Sequence, residues 1–165
     1  MTVEEIKNKP KLFPLPNTAD EKAAALYTEL EIDVLARTIW GEARGEGMSG
    51  MNAVACVILN RVEAARKLGG YWWGNNILQV CQKPYQFSCW NKNDANYKKL
   101  ISVDDEDIYF ASAKRVARRA MLGFLKDESK GATHYHARNI LPDWARERKP
   151  TAMIGRHVFY KLIEV

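Results

Sequence analysis

The chain has no apolar run approaching the ~18 residues of a membrane-spanning helix, so no membrane insertion is expected. Its opening, Met1-Thr2-Val3-Glu4-Glu5, is acidic and lacks the apolar core of a secretion signal, so no cleaved leader is expected. Cysteine is scarce. Cys56, Cys81 and Cys89 cannot all pair within one chain, and without an export signal they read as reduced thiols, Cys56 as a small core residue on a helix. The phosphate-cradling P-loop and the G-x-S-x-G nucleophile elbow are missing, as are HExxH and CxxC metal motifs; Gly45-Glu46-Gly47-Met48-Ser49-Gly50 is Gly-rich but lacks the preceding strand and the Lys-Ser/Thr end of a nucleotide-binding turn. A thiol pair of Cys89 with His134 remains open, although an idle buried thiol is the simpler account. No repeats or low-complexity segments occur.

What is present fits one soluble globular domain of 165 residues, 47% hydrophobic and 27% charged. Twenty-five Lys and Arg against 20 Asp and Glu leave a net charge of +5, which favours polyanionic partners such as nucleic acid, anionic lipid or an acidic cell wall. The basic residues are dispersed. One cluster, Lys114, Arg115, Arg118 and Arg119, reads as a solvated helix face.

Residues 1–18, with Pro10, Pro14 and Pro16, predict an extended arm, and residues 19–165 one folded domain. Thr18 or Asp20 caps a helix through Leu30, with Ala23, Leu26, Tyr27 and Leu30 facing inward. A second helical piece, Glu31 to Trp40, follows a break near Asp33 and buries Ile32, Leu35, Ala36 and Ile39. Gly41 and Gly45 then mark the helix end and a backbone that something can approach closely. Ser49 caps the strongest helix, whose apolar face is Met51, Val54, Ala55, Ile58, Leu59 and Val62 and whose end is Gly69-Gly70. Ile77 to Val80 reads as a short apolar turn. Asp104 or Asp105 caps a long helix carrying Ile108, Ala111, Ala113, Val116, Ala120 and Leu122. Ala132 to His136 turns β-like, and residues 153–160 read as a short hairpin or a bent strand about Gly155. The class is mainly α (α+β), with a small β element near the C-terminus.

Three constellations could carry chemistry. Glu42 sits where the apolar helix stops, next to Trp40. In a half-apolar cleft such a carboxyl titrates above its usual range and serves as a general acid. Taken alone, a solvated helix-end residue is the simpler account. Tyr71, Trp72, Trp73, Tyr85, Phe87 and Trp90 crowd a stretch rich in Asn, Gln and Gly; they suit sugar stacking, or else fold inward as a small core of their own. In a strand, His134 and His136 share a face, and with Glu42 or Glu46 they could hold zinc, although hydrogen bonding is the commoner use of such a pair. Glu42 and Glu46, four apart, would make a carboxylate pair on a continuous helix, which Gly45 puts in doubt; Asp94 and Asp143 are the other candidates. One acid still suffices if the sugar's own 6-hydroxyl attacks and a 1,6-anhydro product forms.

The runs Ala36-Arg37-Thr38-Ile39-Trp40-Gly41-Glu42-Ala43-Arg44-Gly45-Glu46 and residues 53–62 (AVACVILNRV) resemble the spore cortex-lytic type of cell-wall hydrolase. Residues 86–91 (QFSCWN), 131–136 (GATHYH) and 154–160 (IGRHVFY) resemble further motifs of that family, in order. The resemblance implies a lysozyme-like, lytic-transglycosylase-like helical domain that cuts the N-acetylmuramic acid to N-acetylglucosamine β-1,4 bond of peptidoglycan. It places the catalytic acid on Glu42 and leaves Trp40, Glu46, Gln86, Phe87, Ser88, Trp90, Asn91, His134, Tyr135, His136 and Tyr160 to shape the glycan groove. It implies no cofactor or metal, no nucleic-acid partner and a monomer. A basic catalytic domain without leader or wall-binding repeat is similar to a phage or prophage endolysin, held in the cytoplasm until release to the wall. A hydrolytic muramidase, a zinc amidase using His134 and His136, and a basic wall- or nucleic-acid-binding module remain alternatives.

Overall fold

A computed structural model describes residues 18–164, so the expected proline-rich arm, apart from Thr18, lies outside the described residues. The described residues fall into two compact units that meet between Leu30 and Glu31 in the sequence. Helix α1, Ala19–Ala43, supplies the described part of the first and opens the second.

Thr18 and Glu21 start α1 with a reciprocal cap: Thr18 Oγ1 accepts from Glu21 N–H, and Glu21 Oε2 accepts from Thr18 N–H. The expected inward face of this stretch is not found. Leu26, Tyr27 and Leu30 are exposed, because a helical period specifies a stripe but not a surface to cover it. The expected break near Asp33 is also absent. Asp33 instead accepts from Arg37 Nε one turn on, and Arg37 Nη1 donates to the carbonyls of Leu100 and Val103, pinning α1 to a later turn. The helix runs through Gly41 and stops at Ala43, two residues later than the glycine signal implies. Gly41 serves the second expected purpose, close approach: a Cβ there would lie 2.7 Å from Cys89 Cβ.

Helix α2, Gly47–Lys67, begins before Ser49, at Glu46, and ends as expected at Leu68 and Gly69, the glycine at φ 73°. Every residue from Ala53 to Ile58 is buried, so α2 is the central pillar of the core rather than a one-sided helix. It packs against the short α3, Ile77–Gln82, which Asn76 caps, and the sheet strand β2, Ala152–Ile154. It also packs against α5, Ile108–Met121. Between α3 and α5 lies α4, Tyr97–Ser102. Asp107, rather than Asp104 or Asp105, caps α5 by accepting from Tyr109 and Phe110 N–H. Ala113, Val116 and Ala120 face inward as expected, whereas Ile108 and Leu122, at the two ends, are exposed.

The sheet joins β1, His134–Ala137, to β3, His157–Tyr160, and β3 to β2, all antiparallel in the order β1-β3-β2. Gly155, at φ 57°, turns the hairpin as expected. The three thiols are free and buried. Among the described residues, no helix is long and apolar enough to cross a membrane.

Candidate active site

The last turn of α1 presents Glu42 to a cavity of ≈ 540 Å³ whose other walls are Arg61 of α2, Trp72, the segment Tyr85 to Ser88, His134 and Tyr135 of β1, and Trp144. Tyr135 Oη donates to Glu42 Oε2 at 2.9 Å. Oε1 is shielded from solvent and has no hydrogen-bond partner. The thiol and backbone N–H of Cys89 lie beside the carboxylate, short of hydrogen-bond geometry to Oε1 but close enough to act on its charge.

Burial pushes the Glu42 pKa above the ordinary carboxylate value, and the charge of Asp94 adds to that; Tyr135 and Cys89 pull the other way without cancelling it. The coupling is mutual: burial and the neighbouring Glu42 hold the Tyr135 hydroxyl and the Cys89 thiol in their protonated forms. Burial likewise lifts Cys56 and Cys81 to about 12. A thiolate at Cys89 is therefore disfavoured, and His134, the expected base of a thiol pair, bonds Thr133 Oγ1 instead at 2.8 Å. Burial, with the charges of Arg61 and Arg148, takes the His134 pKa down to about 4, so its ring is neutral at pH 7.

The aromatic-rich stretch is split between core and surface. Trp73 and Phe87 are buried in the core, whereas Trp72 and Tyr85 stand exposed on the cleft rim. Tyr85 is held at φ 65°, in the left-handed region where a non-glycine residue is strained. Trp144, on a single 3-10 turn at Asp143–Ala145, closes the far side with its ring 5.4 Å from that of His134.

The structure gathers Glu42, Gln86, Phe87, Ser88, His134 and Tyr135 into one cleft, and places the other expected residues elsewhere. Trp40, two positions before Glu42, points from nearly the opposite side of the helix. It lines a larger hollow of ≈ 680 Å³ that holds none of the Glu42 cleft residues, with Arg44 4.2 Å above its ring and Asp107 accepting from its Nε1. Trp90 and Asn91 line an adjacent hollow of ≈ 370 Å³ on the other side of Tyr85, and Trp90 Nε1 donates to Thr38. Glu46 does not pair with Glu42. It accepts from Arg156 N–H and Nε, each at 2.9 Å, tying the start of α2 to the hairpin turn. Those bonds, with the charges of His157 and Arg156, outweigh burial and lower its pKa. His136 and Tyr160 pack on each other behind the cleft wall, 5.4 Å apart and 27° from parallel.

The zinc arrangement is not assembled. His134 and His136 share a face, but His136 spends Nδ1 on the Ala137 carbonyl and Nε2 on Tyr160 Oη, and Glu42 is bonded to Tyr135, whose side chain leaves the strand on the other face. No third ligand joins the histidines among the described residues. Asp143 is an exposed partner of Arg146, and Asp94, which accepts from Asn96 N–H, does not line the cleft. Sequence reasoning overlooked Arg61 and Trp144. The signal for Arg61 was legible, a single charge on the helix face of Val57, Ile58 and Ala65; a lone Trp in a polar loop gave none for Trp144.

Residues 45–160 match the model of the cell wall hydrolase family, a match that opens just beyond Glu42. A spore cortex-lytic enzyme of Halalkalibacterium halodurans is 32% identical over 136 residues, which are 81% of this chain and 35% of that protein. The spore cortex-lytic enzyme of Bacillus subtilis is 29% identical over 81% of this chain and 38% of its own length. The chain thus spans well under half the length of these relatives. The fold is similar to that of the catalytic domain of the Bacillus cereus SleB protein, with TM-score 0.63 and 24% identity over 93% of this chain and 99% of that one. It is also similar to the catalytic domain of the germination-specific lytic transglycosylase SleB from Bacillus anthracis, with TM-score 0.61 and 25% identity over 90% of this chain and all of that one. With the family model spanning more than half of its residues, the chain belongs to the cell wall hydrolase family.

Proposed function

We propose that this protein cleaves the β-1,4 bond between N-acetylmuramic acid and N-acetylglucosamine in peptidoglycan, as a lytic transglycosylase with Glu42 as its general acid and base. The observation that carries this reading is Glu42 itself: one carboxyl, half-buried and raised in pKa, at the wall of an aromatic-rimmed cleft large enough for sugar rings. The relatives named above, one of them called a lytic transglycosylase, support it.

In this mechanism, protonated Glu42 gives its proton to the bridging oxygen while the bond from that oxygen to the muramic acid C1 breaks. Positive charge develops at C1. Tyr135 steadies the carboxylate left behind by donating to Oε2. The carboxylate then takes the proton of the muramic acid 6-hydroxyl as that oxygen closes on C1. The products are a 1,6-anhydro end and a free 4-hydroxyl on N-acetylglucosamine, and Glu42 is again protonated. Trp72, Tyr85 and Trp144 offer flat faces to the sugars; Gln86, Ser88 and neutral His134 offer hydrogen-bonding groups to hydroxyl and acetamido substituents. Asn91 and Trp90 extend the contact surface beyond Tyr85. His136 and Tyr160 act by packing against Trp144 of the wall, and Glu46 by tying the start of α2 to the hairpin; Trp40 lies outside the cleft.

A muramidase would use the same proton and let water attack instead. No other carboxylate among the described residues lines the cleft to activate that water, which favours the internal hydroxyl. Mass spectrometry of digested sacculi separates the two: anhydro ends are lighter than reducing ends by one water, and reducing ends alone would overturn the transglycosylase reading. The net charge of +5 suits approach to an acidic wall, and we extend the proposal to a bacteriolytic, endolysin role, which clearing of membrane-permeabilised cells would test.

A further inference from the structure

The mechanism above leaves one buried charge without a use. Arg61 is 5% exposed, on the inward face of α2. Its guanidinium lies 5.0 Å from the Trp73 ring centre and 5.4 Å from that of Phe87. Nε donates to the Thr133 carbonyl at 2.7 Å and Nη1 to Gln86 Oε1 at 3.0 Å. Every one of these partners is neutral. No carboxylate among the described residues pairs with Arg61, and Nη2 has no protein acceptor among them. Arg61 forms part of the same cleft wall as Glu42, Gln86, Ser88 and His134.

A guanidinium taken out of water is costly unless a counter-charge meets it, and buried charges in proteins are almost always paired. A bracket that merely joined Thr133 to Gln86 would need donors, not a charge. The cation is also felt in the cleft, since it helps burial to keep His134 neutral. What is missing is an anion, and the open side from which one can arrive is the cleft.

We propose that Arg61 is the floor of a carboxylate subsite, which receives an acid group carried on the lactyl arm of N-acetylmuramic acid. The inference rests on the proposed glycan-cleaving function and deepens it. A carboxylate meets a planar fork whose Nη2 edge is unspent, the geometry that suits Arg better than Lys. Its arrival also cancels a positive field that would otherwise oppose positive charge growing at C1. The acid can be the lactyl carboxylate itself or the first acidic residue of an attached peptide.

Titration calorimetry with Glu42→Gln protein, which retains the groove without turnover, tests this with three glycan oligomers of equal length. One bears free lactyl acids, one neutral lactyl methylamides, and one lactyl-L-alanyl-D-isoglutamine with its terminal carboxylate free. Binding at least tenfold tighter for the first than the second assigns the lactyl carboxylate; the same gain for the third alone assigns the peptide acid. Equal binding by all three overturns the subsite and leaves the function standing. Binding by none overturns the function as well. Arg61→Gln, added to this background, should erase the preference and Arg61→Lys should keep part of it; an undiminished preference in Arg61→Gln would show that another group reads the charge. If either Arg61 variant fails to fold, the comparison among ligands still decides.

Discussion

Replacing Gly41 with alanine sets two effects against each other, and the structure says which is larger. Alanine inside a helix is favoured over glycine by about 0.8–1.0 kcal/mol, and less near an end, where Gly41 lies. The added Cβ, however, would stand 2.7 Å from Cys89 Cβ, 2.9 Å from its Sγ and 3.2 Å from Leu100 Cδ1. Leu100 can rotate aside. Cys89 Cβ is fixed to the backbone of the 3-10 turn Ser88–Trp90, which the bond from Trp90 Nε1 to Thr38 Oγ1 holds at 2.9 Å. Overpacking costs typically ~1–3 kcal/mol, and against a backbone-anchored atom the upper half of that range applies. The net loss is therefore about 1–2 kcal/mol, a fall in Tm of about 2–8 °C for a chain of this size. Because the turn that must yield carries the thiol beside Glu42, activity should fall by at least about tenfold, as a displacement of ~1 Å at a reacting group commonly does. Thermal unfolding and clearing of a sacculus suspension measure the two. Cys89→Gly removes the colliding atoms and should return part of the lost turnover in the double variant. A Gly41→Ala protein with raised Tm and full activity would refute the reasoning.

Further outcomes follow from the same geometry. Tyr135→Phe removes a donor that lowers the Glu42 pKa, so the alkaline limb of kcat/KM should move to higher pH while its plateau falls about tenfold; an unmoved limb would count against the Tyr135–Glu42 bond. The folded-state pKa of Glu42 lies above its unfolded value, so its stabilising share is complete at low pH and is lost as pH rises through the folded value. Glu42→Gln should therefore match the parent in Tm at pH 4 and exceed it at pH 8 in calorimetric scans; an equal Tm at both pH values would count against the buried charge. Glu46→Ala breaks both bonds to Arg156. The ion pair is weak because Arg156 is largely exposed, so the expected loss is about 1–2 kcal/mol, mostly from the turn amide, with no shift in the pH profile of cleavage.

The elements that could be read from sequence were those fixed by local rules. The helix of residues 47–67 announces itself by its apolar period and its Gly69 stop, and the hairpin by Gly155 between two short apolar runs. What local rules missed depended on distant partners. Gly41 looks like a helix stop, yet its glycine is explained by Cys89, which no spacing in the sequence connects to it. The stripe of Leu26, Tyr27 and Leu30 has the period of a buried face and is exposed. At the site, Glu42 could be picked out as an acid near aromatics, but the bond from Tyr135, 93 residues away, is a tertiary fact. Trp40 and Glu42 look like one group because they are neighbours in sequence; in a helix, a separation of two sends them apart. Arg61 shows the opposite case, a charge on a buried face that was visible in the sequence and unread.

In the proposed reaction one proton, held by Glu42, breaks the glycan strand. Purified parent and Glu42→Gln proteins, each shown to be folded by circular dichroism, should be incubated with sacculi and the soluble products weighed by mass spectrometry. The parent should release 1,6-anhydro-muramic ends, and their rate of appearance should fall at least about a thousandfold in the variant. Anhydro products released at near-parental rate by Glu42→Gln would contradict the proposed reaction.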